Sequence, residues 1–444
     1  MTAPNGARSL RAGRALRHRN FRFFFYGQMI SVTGTWMQSV AQGWLLGTLV
    51  GWDKAIVLLG LLGVVQFLPV LVFGLFGGIV ADIWPKRPTV IATQAAAAIL
   101  ALTLGGLDYF HVVAVWHIFL LAFLLGVVNA IDMPARQSFV VEMVGPDDIA
   151  NAVALNSAVF NGARIVGPAV AGNIIAFFGT AACFILNGVS YAAVVIGLLA
   201  MRDSELLPAA RLAIPRTVAA VRGNLAEGLR YVWHTPVVLL AITVIGAAST
   251  FGMNFNVVLP VMAARVLNVG SDGLGNLYSA MGAGALVAAL AVASLRRPRL
   301  RVLVGGGLVL GLAELVLAST SSYPVAFAAM FFCGVGAIAT AASANSLVQI
   351  TVPGALRGRV MSVYTTVFAG STPIGNGFTG GLGGLWGTPI ALAVNGAIVL
   401  GCGAVAGVAV LRGAVPRVGR GGGAEAAAGR PLAAVPGANL PAPE

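Results

Sequence analysis

FNGARIVGPAVAGNIIAFFGTAACFILNG, residues 160–188, returns 208 positions later as FAGSTPIGNGFTGGLGGLWGTPIALAVNG, residues 368–396. The two stretches align without a gap and share eight identities over 29 positions: Phe160/Phe368, Gly162/Gly370, Gly167/Gly375, Gly172/Gly380, Gly179/Gly387, Thr180/Thr388, Asn187/Asn395 and Gly188/Gly396. A bias toward Ala, Gly and Leu supplies some of these, but the paired Gly-Thr and Asn-Gly steps are harder to obtain by chance. A weaker echo sets Lys86-Arg87-Pro88 over Arg296-Arg297-Pro298 at a shift of 210. Self-similarity at a fixed offset marks a duplicated architecture. The chain therefore reads as two copies of one unit.

Composition says what the unit is made of. Of 444 residues, 58% are hydrophobic and only 9% are charged, whereas soluble domains carry about 25% charged residues. Such a chain cannot dress a water-facing surface, so lipid must replace most of the water. A helix that crosses a bilayer needs about 20 mostly apolar residues. Twelve runs qualify: 23–49, 56–79, 89–107, 113–135, 149–178 and 181–201 in the first half, then 237–261, 274–295, 302–318, 324–348, 360–385 and 389–411 in the second. They are continuous rather than alternating, which makes them helices and not barrel strands. The expected organisation is a basic tail (1–20), a six-helix bundle (21–201), a linker (202–236) with a short amphipathic helix near 218–232, a second bundle (237–411) and a Gly-, Ala- and Pro-rich disordered tail (412–444). The expected fold is an all-α membrane protein of twelve transmembrane helices, arranged as two parallel six-helix repeats. Transporters use that arrangement.

The formal charge is +13, from 27 Lys and Arg against 14 Asp and Glu. In a soluble chain this would raise the question of nucleic acid; in a membrane chain it reports topology. With the N-terminus inside, the outer segments hold only Lys54 and Arg265 as bases, and Arg164 falls within a span. The remaining 24 bases lie on the inner side or at inner helix ends. The positive-inside rule then places both termini and the linker in the cytoplasm and the protein in the cytoplasmic membrane, with lipid and not nucleic acid around it. The first apolar run is too long for a cleavable signal and lacks a small-residue cleavage site where one is needed. Cys183, Cys333 and Cys402 are an odd, widely spaced set inside apolar runs, so buried inert thiols are expected, with no metal site.

The loop after the second run reads GIVADIWPKR. Its Gly78-x3-Asp82-x3-Lys86-Arg87 spacing resembles the cytoplasmic signature of the major facilitator superfamily, G-x3-D-R-x-G-R-R/K. It departs at Ile83, where the family has Arg, and at Pro85, where it has Gly. The resemblance implies a gate. Gly78 would allow close helix approach, and Asp82 would pair with a cation or helix N-terminus of the other half. Arg357 and Arg359, at the start of the eleventh span, are the expected partners. The bland alternative is a turn with basic anchors. The fifth span contains ARIVGPAVAG, which resembles the superfamily's antiporter signature, G-x3-G-P-x2-G-G, with Ala163, Gly167, Pro168, Ala171 and Gly172 in its positions, the first Gly and one of the final pair being Ala here. Pro168 removes a backbone donor and bends the helix, and the small residues permit close packing; an ordinary kinked packing helix is the alternative. DMPARQ (132–137), NAVALNSAVFNGARIVGP (151–168) and LRGRVMSVYT (356–365) together resemble the exporter branch that contains the enterobactin exporter and macrolide-efflux proteins, the transmembrane secretion effectors.

Polar residues inside spans narrow the site. Arg164 lies about 15 residues into the fifth run, near mid-bilayer at about 1.5 Å per residue. A cation at that depth must face protein or a wet cavity. Ser157, Asn161 and Arg164 share one helical face. Arg164 is either an anchor for an anionic or polar substrate, a partner for a coupling carboxylate, or a structural group satisfied by carbonyls and Asn side chains. Asp132 is the better candidate for proton coupling, unless it only caps the helix or pairs with Arg136; Glu314 reads as a local hydrogen-bonding group. Gln28, Ser31, Thr35, Gln38 and Gln42 form one stripe of the first span. Ser249, Asn254 and Asn256 in the seventh, and Ser343, Asn345, Ser346 and Gln349 in the tenth, add further polar positions. The resemblance places spans 1, 4, 7 and 10 around a central cavity, so Gln38, Asn254 and Asn345 become candidate substrate contacts.

The chain has no P-loop, nucleophile elbow, metal cluster or His-rich motif. No enzyme activity and no cofactor are expected. The expectation is a secondary active exporter of a small amphipathic molecule such as a siderophore, antibiotic or drug-like compound, working by proton antiport. An importer, or a non-transporting sensor or scaffold on the same fold, is the alternative.

Overall fold

The computed structural model describes residues 13–207, 218–295 and 298–415, with side-chain environments given for all of these except 75–82, 150, 218–222, 224, 355 and 369. Most of the basic tail, the Gly-rich tail from 416 onward, the turn at Arg296 and Arg297, and the side chain of Asp82 therefore lie outside the described residues. All regular structure among the described residues is helical.

Span 1 is Arg19–Val50, span 2 Trp52–Ile83 and span 3 Lys86–Tyr109. Spans 4, 5 and 6 share the long run Val115–Leu199, which Gly145 (φ 71°) and Gly179 (φ 79°) break into 115–144, 146–178 and 180–199. Both glycines sit in the left-handed region that side chains disfavour. The linker helix is Val218–His234. Span 7 is Pro236–Phe251 continued, after a break, by Phe255–Val261. Span 8 is Ser271–Ser294, span 9 Leu300–Ser319, span 10 Tyr323–Thr351, span 11 Gly354–Trp386 and span 12 Thr388–Leu411. Nine helical stretches among the described residues are long and apolar enough to cross a bilayer. One of them, Asn151–Leu199, bends at Gly179 and contains two spans. Spans 1 and 11 are as long but rich in Gln, Thr, Ser and Gly, which lowers their hydropathy.

The repeat identities acquire structural reasons. Gly179-Thr180 and Gly387-Thr388 form the turns between spans 5 and 6 and between 11 and 12, and Gly387 is also left-handed (φ 86°). Span 7 departs from the continuous helix expected over 237–261. Asn254 Nδ2 donates to the Thr250 carbonyl (2.6 Å), holding the chain at the break. Pro260 has no N–H to continue the ladder, and a π-helical turn follows at Met262–Val266.

The apolar core shows how the halves meet. On the side that carries the linker there are two separate clusters. One, of the first half, contains Phe21, Phe24, Phe139 and Met143; the other, of the second half, contains Val237, Leu303, Leu347 and Val360. On the far side a single cluster crosses both halves, joining Leu46, Leu59, Ala171 and Phe184 to Phe255, Leu274, Met330 and Leu392. Among the described residues, the apolar core thus joins the halves at the far side and stays separate in each half at the linker side.

Candidate functional site

The far-side seal is made by glycines. A Cβ on Gly172 of span 5 would lie 2.9 Å from Gly275 Cα of span 8 and 2.5 Å from the Ser271 carbonyl. A Cβ on Gly380 of span 11 would lie 2.8 Å from Gly60 Cα of span 2. Gly172 and Gly380 are repeat mates, so the two seams are the same contact made twice. Gly63 adds a close approach to Asn376, and Arg265 pairs with Asp53 across the halves at the surface. Gly167 lets span 5 approach Trp36 and Thr33 of span 1, and its mate Gly375 lets span 11 approach Thr250 and Asn254 of span 7. Close backbone contact of this kind is what membrane helices use in place of a hydrophobic driving force.

Below the seal, span 5 turns a polar face to open space. Asn161 is exposed, its Nδ2 tied back to the Ser157 carbonyl (2.8 Å). Arg164 is half-buried, about 12 Å short of Gly172 along the helix at about 1.5 Å per residue, and next to Ile165, which packs against Gly282 of span 8. Its Nε is buried and has no hydrogen-bond partner among the described residues. Its guanidinium carbon lies 5.6 Å from the centre of the Trp36 ring, and Trp36 meets Phe160 edge to face at 5.6 Å. Tyr278 of span 8, an ionisable neighbour of Arg164, donates from its hydroxyl to Asn256 Oδ1 (3.0 Å). Toward the linker side, a cleft of about 380 Å³ lies along span 11 against Gly358, Met361, Ser362, Thr365 and Thr366.

Other expected contacts lie elsewhere. Gln38 is only 7% exposed and accepts from Asn187 Nδ2 of span 6 (2.6 Å). The stripe on span 1 thus faces the interior of its own bundle, with Gln28 accepting from Arg136 (2.7 Å). Asp132 is 1% exposed. It pairs with Arg136 and accepts from Thr93 (2.7 Å) and Gln94 (2.9 Å) of span 3. Asn254 is buried at the break of span 7 and also donates to Thr379 of span 11 (3.1 Å). Asn345 is half-buried and accepts from Gln349 one turn on. Polarity in a lipid-embedded helix forces a protein or water partner but does not choose between them; here the bundle interiors took Gln38, Asp132 and Asn254. Glu314 is 1% exposed and its Oε2 has no partner among the described residues.

The basic pair of the loop motif also stays within its own half. Arg87 donates to the Leu198 carbonyl (2.9 Å) at the end of span 6 and pairs with Asp203, while Lys86 stands 3.7 Å from Glu142. Arg359 pairs with Glu227 of the linker helix, and Arg357 is exposed. Gly78 and Asp82 lie in span 2, and their side-chain positions are outside the described residues. Sequence reasoning missed Trp36 and Tyr278, which no motif flagged, the role of Phe160, which was visible only as a repeat identity, and the far-side partners Gly60 and Gly275. Their mates Gly172 and Gly380 were visible as repeat identities.

Comparison with known proteins agrees with this architecture. A family model described as transmembrane secretion effector matches residues 12–420. The chain is 27% identical over 318 residues to the multidrug efflux pump Tap of Mycolicibacterium fortuitum, covering 69% of this chain and 76% of that one. It is 23% identical over 272 residues to the staphyloferrin A transporter of Staphylococcus aureus (strain NCTC 8325 / PS 47), covering 61% and 66%. Among solved structures, a peptide transporter POT superposes with a TM-score of 0.70 at 12% identity, covering 88% of this chain and 94% of that one. A bacterial homolog of the human lysosomal transporter Spinster, in an inward-facing and unoccupied conformation, gives 0.67 at 13% identity, covering 88% and 98%.

Proposed function

The chain belongs to the transmembrane secretion effector family of major facilitator transporters, and from that premise we propose that it exports a small amphipathic molecule across the cytoplasmic membrane by alternating access and proton antiport. Both termini and the linker lie in the cytoplasm in this reading, which the Arg distribution supports. The linker side is then the inner side, and the described arrangement is inward-open. The observation that carries the reading is the pairing of a glycine seal on one side with a half-buried Arg164 that has no hydrogen bond or ion pair among the described residues. A substrate entering from the cytoplasm would reach the apex at Arg164. Rocking of the halves would part Gly172 from Gly275 and Gly380 from Gly60, and would close the inner side.

In the closed inner state, Arg359, released from Glu227 of the linker helix, or the exposed Arg357 would meet Asp82, the partner that the loop motif implies. The amphipathic wall of Trp36 and Phe160 suits a substrate with an apolar body. The named relatives, a multidrug efflux pump and a siderophore transporter, fit the same class. Efflux from cells loaded with a fluorescent amphiphile tests the reading: faster loss in cells expressing the protein than in cells expressing Gly172→Trp supports it. Net accumulation instead would make the protein an importer and overturn it.

A further inference from the structure

We propose that Arg164 and Trp36 form a cradle for a planar oxyanion, so that the exported molecule carries a carboxylate or comparable delocalised acid beside its apolar body. This rests on the exporter reading and specifies the substrate of the same site. Arg164 has five N–H donors in a rigid fork, and no hydrogen bond or ion pair from it to a described residue is formed. An unmatched guanidinium at mid-span is costly, and it is kept only where it lines a wet cavity or meets an anion. The second arginine of this half's interior is already neutralised: Arg136 pairs with Asp132. Glu314 lies buried within the second bundle, among spans 9, 10 and 12. Among the described residues, the apex thus carries one net positive charge in surroundings of low dielectric, where Coulomb forces act strongly.

The shape of the cradle refines the class. The guanidinium carbon lies over the Trp36 ring at 5.6 Å, and with Nε buried the two terminal Nη groups are the edge left to meet a ligand. A fork edge matches two coplanar oxygens, as in a carboxylate. Phe160 extends the aromatic wall beside Trp36, so an apolar group attached to the acid finds a surface within one turn. Exposed Asn161 offers its Oδ1 as an acceptor, since its Nδ2 is tied to the helix. A cationic substrate would face Arg164 at close range with no acid among the described residues to offset it. A neutral one would leave the fork unfilled.

The test uses three probes that share one fluorophore: dansylglycine (anionic), dansylglycinamide (neutral) and dansylcadaverine (cationic). Their effect on the thermal unfolding of the purified full chain in detergent is compared. Wild type is expected to be stabilised by dansylglycine in preference to the other two. In Arg164→Gln, dansylglycine should bind about 10- to 100-fold more weakly, the loss expected for a charge-assisted hydrogen bond in a partly buried site, and the amide should be unaffected. Should the Gln variant fail to fold, Arg164→Lys keeps the charge without the fork and should retain a reduced preference for the anion. Equal or greater stabilisation by the amide or the amine, an anion preference that survives Arg164→Gln, or no stabilisation of wild type by any probe would overturn the proposal. Efflux separates the two levels. Export of dansylcadaverine but not dansylglycine sinks the anion cradle and leaves the exporter standing, whereas net uptake of either sinks the exporter reading itself.

Discussion

Replacing Gly172 with Ala places one methyl group in a seam that has no room for it. The new Cβ would stand 2.5 Å from the Ser271 carbonyl and 2.9 Å from Gly275 Cα, whereas ordinary contact begins near 3.4 Å. Spans 5 and 8 must therefore separate by roughly 0.9 Å at this point, and both obstructing atoms are backbone, so no side chain can swing aside. Overpacking of this order costs about 1–3 kcal/mol. In the proposed alternating-access cycle the cost would fall only on the conformation in which the far side is closed, because the seam would part when the halves rock. A differential of that size moves a two-state equilibrium by about 5- to 150-fold. Gly380→Ala should act in the same direction, since it meets Gly60 Cα at 2.8 Å in the mate of this seam. Spin labels at the exposed positions Phe177 and Asn268 flank the seam on the two halves. The expected outcome is a longer-distance population that is minor in wild type and major in Gly172→Ala. An unchanged distance distribution in a folded Gly172→Ala protein would refute the reasoning, because it would show that the seam opens without consequence or is not the gate.

Arg136→Ala leaves Asp132 buried without its cation, a loss of about 3–5 kcal/mol for a broken buried pair; Thr93 and Gln94 remain as donors, so thermal unfolding in detergent should show the lower end of that range. Asp82→Asn should slow transport while the protein still inserts and folds, and cysteines placed at the inner ends of spans 2 and 11 should cross-link less; unchanged transport and cross-linking would reduce the motif to a simple anchor. Asp148 gathers Arg14, Arg17 and His18, so Asp148→Asn should raise amide hydrogen exchange at 14–18 without changing it in span 9, and equal protection in both proteins would show that the cluster does not hold that segment.

The fold was legible because two independent signals converged. Continuous apolar runs located the helices, since a bilayer admits little else, and the repeat related the two halves. Several repeat identities proved to be geometric necessities: left-handed turns at Gly179 and Gly387, close seams at Gly172 and Gly380, and side-chain tethers at Asn187 and Asn395. The site was legible only in part. Arg164 stood out because a charge in a span demands a reason. The Gln38 stripe misled, because the same polar periodicity serves a cavity and a bundle interior. Trp36 and Tyr278 were silent, and Phe160 spoke only as a repeat identity, since an aromatic residue in a membrane helix is ordinary until its neighbours are known. The break in span 7 depends on Asn254 reaching carbonyls one turn back, which residue types do not announce.

Transport itself is the most direct test of the central claim. The purified protein would be reconstituted into liposomes with its linker side outward, and dansylglycine movement into the lumen followed while a proton gradient, acid inside, is imposed and then collapsed. The account predicts gradient-driven uptake into the lumen, the equivalent of export from a cell, that stops when the gradient is collapsed and is absent in Arg164→Gln. Equilibration at the same rate with and without the gradient, or movement in the opposite direction, would contradict it.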